Sequence, residues 1–173
     1  MKKLAPIAIL VCSSWAAAQS AAFTLPATSS EIAVPAGQKV AQTLLGRGTQ
    51  NYACQEKADK SGFEWTFKAP QADLFDSSDK KVGTHYAGPT WEAPDGSKVV
   101  GEVKARAASK DSIPWLLLGA KSNAGTGLFG KITFIQRLST TGGLAPTTGC
   151  EASTVGSEAK MTYTALYVYF EAQ

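Results

Sequence analysis

The chain has 173 residues, a length that suits one domain able to bury its own core. It carries 17 Lys and Arg against 14 Asp and Glu, scattered rather than gathered into runs, which excludes the electrostatic footprint of a phosphate-binding face and with it nucleic acid as a partner. A single histidine, His85, excludes multi-histidine zinc and copper sites; neither a metal nor a cofactor is expected.

Lys2 and Lys3 precede an apolar stretch from Leu4 to Val11, and small residues ending in Ala16, Ala17 and Ala18 follow. This is the pattern of a secretory signal peptide over residues 1–18. Its apolar core of about 8 to 12 residues is too short to span a bilayer, and no later segment approaches the roughly 20 uncharged residues that a span requires. The mature chain is therefore expected to lack an integral membrane segment and to be secreted or periplasmic. Cleavage after Ala18 would leave 155 residues, with 15 basic against 14 acidic and without Cys12. Residues 19–30 are small and polar and read as a flexible leader. Residues 31–173 read as a single β domain.

Cys54 and Cys150 are the cysteines of the mature part, and an oxidising compartment favours joining them. Closing a loop of nearly a hundred residues stabilises by about 4–5 kcal/mol in the chain-entropy description.

Alternation with period 2 predicts strands. Phe63, Trp65 and Phe67 share one face and Glu64, Thr66 and Lys68 the other. From Lys98 to Ala107, Glu102, Lys104 and Arg106 point one way while Val103, Ala105 and Ala107 point the other. Lys131 to Arg137, with Ile132, Thr133, Phe134 and Ile135, reads as a further strand. Thr162 to Phe170 can pack on both faces, which predicts a central position. Turn residues separate these runs at Asp76 to Asp79, Pro94-Asp95-Gly96-Ser97 and Gly142-Gly143. Without any ten-residue stretch of helical period, the fold class is all-β: a single antiparallel sandwich or barrel with one disulfide.

Gly125, Gly127 and Gly130 spell a dinucleotide-binding pattern, but a strand rather than a helix is expected to follow, so a plain glycine-rich loop explains them. Asp73, Asp76 and Asp79 lack EF-hand spacing and read as a solvated turn. The stretch His85-Tyr86-Ala87-Gly88-Pro89-Thr90-Trp91-Glu92 gathers polar groups and aromatic rings around a Gly-Pro turn. His85, Tyr86, Trp91 and Glu92, with Trp115, Gln136 and Arg137, are the candidate binding residues, since ring faces beside hydrogen-bonding groups suit sugars. In the competing reading, Trp91 and Trp115 fill the core and Arg137 pairs with Glu92.

Gly48-Thr49-Gln50-Asn51-Tyr52-Ala53-Cys54, the His85 to Glu92 segment with Asp95-Gly96-Ser97, Ile113-Pro114-Trp115-Leu116-Leu117-Leu118, and Ile135-Gln136-Arg137 with Thr141-Gly142-Gly143 and Cys150 together resemble a secreted family of bacteria and fungi, domain-of-unknown-function family 3455. The resemblance covers nearly the whole mature chain and implies no established activity. Some relatives carry a malate dehydrogenase label, which does not transfer: the chain is too short for nucleotide and substrate domains and shows no βαβ pattern.

Three functions stay open on the sequence. The first is an exported noncatalytic β domain that binds a glycan, an envelope component or a protein. The second is a metal-independent hydrolase or lyase using His85 with Glu92 or Asp95. The third is a structural or stress-protective envelope protein.

Overall fold

The computed structural model describes residues 22–173; the expected signal peptide and the start of the leader lie outside them. Eight strands follow in order: β1 Gln38–Glu56, β2 Phe63–Phe75, β3 Lys81–Tyr86, β4 Thr90–Glu92, β5 Lys98–Ala107, β6 Trp115–Ala124, β7 Phe134–Gly142 and β8 Glu158–Ala172. Each pairs antiparallel with the next, and β8 returns to β1 from Gln38↔Ala172 to Ala53↔Glu158. The sheet is thus a closed up-and-down barrel, which resolves the choice between sandwich and barrel and leaves no free edge.

Alternation decides what each side chain faces. Tyr163, Ala165, Tyr167 and Tyr169 of β8 point inward, with Leu44, Leu74, Trp91, Val99, Leu116, Leu118 and Ile135 from the other strands. The same strand sends Leu166, Val168 and Phe170 outward, so both its faces are packed, as its composition predicts. Three tyrosines and a tryptophan in so narrow a barrel need room on the opposite wall, and glycine provides it. A Cβ at Gly46 would lie 2.6 Å from the Tyr167 ring, and one at Gly101 would lie 2.9 Å from the Trp91 ring.

Two of the sheet's bulges, in β2 and β5, matter for what faces inward. In the β1–β2 ladder Asn51 pairs with Ala69 and Tyr52 with Phe67, so Lys68 is an extra residue. In the β5–β6 ladder Val103 pairs with Leu118 and Ala105 with Leu117, so Lys104 is extra. Val103 consequently packs inside, whereas Ala105 and Ala107 pack outside. The uniform two-faced strand expected for Lys98–Ala107 is corrected accordingly: beyond Lys104 the inward position belongs to Arg106.

The end of the barrel at the β6–β7 loop is stoppered. Phe129 and Ile132 are fully buried there, and Asn123 Nδ2 donates to both their carbonyls at 3.0 Å. Ile132 is therefore part of the stopper, and β7 begins only at Phe134, not at Lys131. The glycines of the 125–130 loop serve this close chain crossing: a Cβ on Gly130 would lie 2.3 Å from the Gly125 carbonyl oxygen.

Outside the barrel, Phe23, Ile32 and Val34 lie against Leu117, Leu138, Leu166 and Val168, forming a second cluster beneath the N-terminal segment. At the opposite end from the stopper, the Cys54–Cys150 disulfide ties the end of β1 to the β7–β8 loop across 96 positions, with Cα atoms 5.2 Å apart. Asp73 pairs with Lys81 at 2.7 Å and Asp79 with Arg47 at 2.6 Å, while Asp76 caps its own turn. Among the described residues no three His, Cys, Asp or Glu side chains are placed to hold a metal ion, and no helix is long and apolar enough to cross a membrane.

Candidate functional site

Between the aromatic stack and the disulfide end, the barrel interior is not filled. A cavity of about 540 Å³ remains, within the range of small-molecule sites. Its floor and walls are the rings of Tyr52, Phe67, His85, Trp91 and Tyr167 and the aliphatic side chains of Val103, Ile113, Leu116 and Leu118. Ala87, Gly88 and Pro89 of the β3–β4 loop and Pro114 of the β5–β6 loop border it. Phe67, Lys68 and Arg106 are exposed at its rim. The bulge at Lys68 puts two successive side chains, Phe67 and Lys68, on this one lining.

His85 reaches the floor because it pairs with Trp91 across the β3–β4 ladder, which sets both on the inner face. Their rings stack at 4.3 Å and 9°, and Tyr167 meets the imidazole edge-on at 5.2 Å. His85 Nδ1 donates to the Thr90 carbonyl at 2.8 Å, since a carbonyl can only accept; Nε2 is then the basic nitrogen. Burial pushes its pKa down to about 3; the Thr90 hydrogen bond opposes this, and the nearby Arg137 charge adds to it. The imidazole is neutral over the whole physiological range.

Arg137 enters from β7. Its Nε and Nη2 both donate to the Pro114 carbonyl, at 3.1 and 2.8 Å, which fixes the guanidinium plane. The Tyr167 and Tyr163 hydroxyls lie beside it, and they hydrogen-bond each other at 3.0 Å. Arg137 joins none of the ion pairs among the described residues. Burial holds its pKa below the usual arginine range. Gln50, 3 % exposed, sets its side-chain amide beside the Tyr163 hydroxyl. The lining contains three cationic side chains and no carboxylate, hydroxymethyl or thiol group.

Of the residues singled out from the sequence, the structure therefore unites His85, Trp91 and Arg137. Tyr86 and Glu92 lie on the outer face of the same ladder, where the Tyr86 hydroxyl donates to the Glu92 carboxylate. Neither lines the cavity, and Arg137 does not pair with Glu92. Trp115 and Gln136 also point outward: Trp115 packs in the second cluster, and Gln136 Nε2 donates to the Ile32 carbonyl at 2.7 Å. The β7–β8 register is regular from Phe134 to Leu138, so Gln136 and Arg137 face opposite ways here. Gln50, Tyr52, Lys68, Arg106 and Tyr167 were missed. Tyr167 was recoverable from its period-2 register with Tyr163 and Tyr169; Arg106 was not, because the bulge at Lys104 leaves no mark in the alternation.

Residues 35–171 match a family model described as "Protein of unknown function (DUF3455)". No curated protein and no solved structure matches the chain.

Proposed function

The chain belongs to the DUF3455 family, for which no activity is established, and we propose from the cavity itself that the protein is a noncatalytic binding domain whose barrel interior takes one small, largely apolar molecule. The observation that carries this is the unfilled interior of about 540 Å³, walled by five rings and four aliphatic side chains in a barrel of a size that can hold one small ligand. A sugar is a poorer fit: one face of Trp91 is already covered by His85, and carboxylate acceptors for hydroxyls are missing from the lining. A hydrolase is poorer still, since His85 has neither a nucleophile beside it nor the carboxylate of Glu92 on its side of the sheet. The signal-like residues 1–18 and the disulfide support a place outside the cytoplasm, secreted or periplasmic.

Titration with the neutral probe N-phenyl-1-naphthylamine tests the reading. Saturable one-site enhancement of its fluorescence is expected, lost in Val103→Trp, which fills the cavity, while the variant's thermal melt shows that it still folds. Equal binding by the folded variant, or no saturable binding by the wild type, would refute it.

A further inference from the structure

Resting on that reading, we infer that the molecule taken is an organic acid, with an apolar body against the aromatic floor and a single carboxylate seated against Arg137. Arg137 is a half-buried guanidinium in a mostly apolar interior with no anionic partner: it meets the Pro114 carbonyl and the Tyr163 and Tyr167 hydroxyls, and the like charge of Arg106 acts on it from the rim. A charge drawn largely out of water without a counter-charge is destabilising. The fold retains it, and holds it rigid through two hydrogen bonds to one carbonyl, an arrangement that keeps a donor face ready for a planar acceptor.

Gln50 lines the same cavity beside the Tyr163 hydroxyl. A single guanidinium charge matches a monoanionic carboxylate better than a dianionic phosphate. His85 is neutral and adds no charge. At the rim Arg106 is an exposed cation without an ion pair among the described residues, and Lys68 is paired with Glu158. The charged side chains on the lining are all cations, which favours an anion inside.

Displacement of the neutral naphthylamine probe by decanoate, decanol and decyltrimethylammonium at pH 7.5 decides the matter. Decanoate is expected to displace the probe at about 10- to 100-fold lower concentration than decanol, the range for one charge-assisted hydrogen-bonded contact, and the ammonium least well. In Arg137→Gln the preference for acid over alcohol should vanish while the probe still binds. Because Arg137 also anchors Pro114, Arg137→Lys serves as the folded companion, keeping the charge and most of the preference. Equal displacement by decanoate and decanol overturns the acid inference and leaves the apolar cavity standing. Failure of the probe itself to bind overturns both.

Discussion

His85 is the only histidine of the chain, and its environment makes a quantitative claim about stability against pH. In the unfolded chain an imidazole titrates at about 6.5; in the fold, burial between Trp91 and Tyr167 brings it to about 3. As pH falls below 6.5 the unfolded state therefore takes up a proton that the folded state refuses. Stability is complete above that value and is lost progressively until pH reaches the folded pKa. Linkage puts the loss between pH 7 and pH 5 at about 2 kcal/mol, and at about 5 kcal/mol over the full window. The upper interval is the diagnostic one, because the carboxyls held low by local hydrogen bonds, Asp59, Asp76, Asp95, Glu102 and Glu158, have unfolded values near 4 and act below it. Urea unfolding followed by circular dichroism at pH 7 and pH 5 gives the difference directly. His85→Phe keeps the stack on Trp91 and should make stability nearly level over the interval. A wild type equally stable at both pH values, or imidazole ring resonances that shift with a midpoint near 6.5 in the folded protein, would show that water reaches the ring and would refute the reasoning.

Replacing both Cys54 and Cys150 by Ser should lower stability by about 4 kcal/mol, given the 96 positions between them, and a loss under about 1 kcal/mol in denaturant melts would contradict a structural staple. Ile32→Ala empties a fully buried site beneath the N-terminal segment and should cost about 2–4 kcal/mol; unchanged melting would mean that the segment does not hold its place on the barrel. Phe129→Ala unstops the β6–β7 end and should cost about 3–5 kcal/mol in chemical denaturation, with an unaltered midpoint counting against the stopper.

The strands were legible because period-2 alternation survives in sequence wherever a ladder is regular, as in Phe63–Phe67 and Thr162–Phe170. The disulfide was legible from the cysteine count together with an expected oxidising compartment. Closure was not, because a sandwich and a barrel demand the same alternation; what separates them is the pairing of β1 with β8, more than a hundred positions apart. The site was half legible for a related reason. A dense run of aromatic and polar residues drew attention to His85 to Glu92, but a strand deals such a run to two faces, so His85 and Trp91 went in while Tyr86 and Glu92 went out. Arg106 and Lys68 entered the lining through bulges, which depend on the register of the neighbouring strand rather than on any local composition.

The stopper has a kinetic consequence. A vessel with Phe129 and Ile132 set in its base is closed at that end among the described residues, so a molecule that enters by the rim at the other end leaves by the same path. Stiffening or loosening the Ala87–Pro89 lip, where Gly88 sits at φ +130° and a Cβ would press on Thr90 Oγ1 at 2.5 Å, would then slow or speed arrival and departure by the same factor. Residence time can in this way be set at the doorway, independently of the affinity set at the floor.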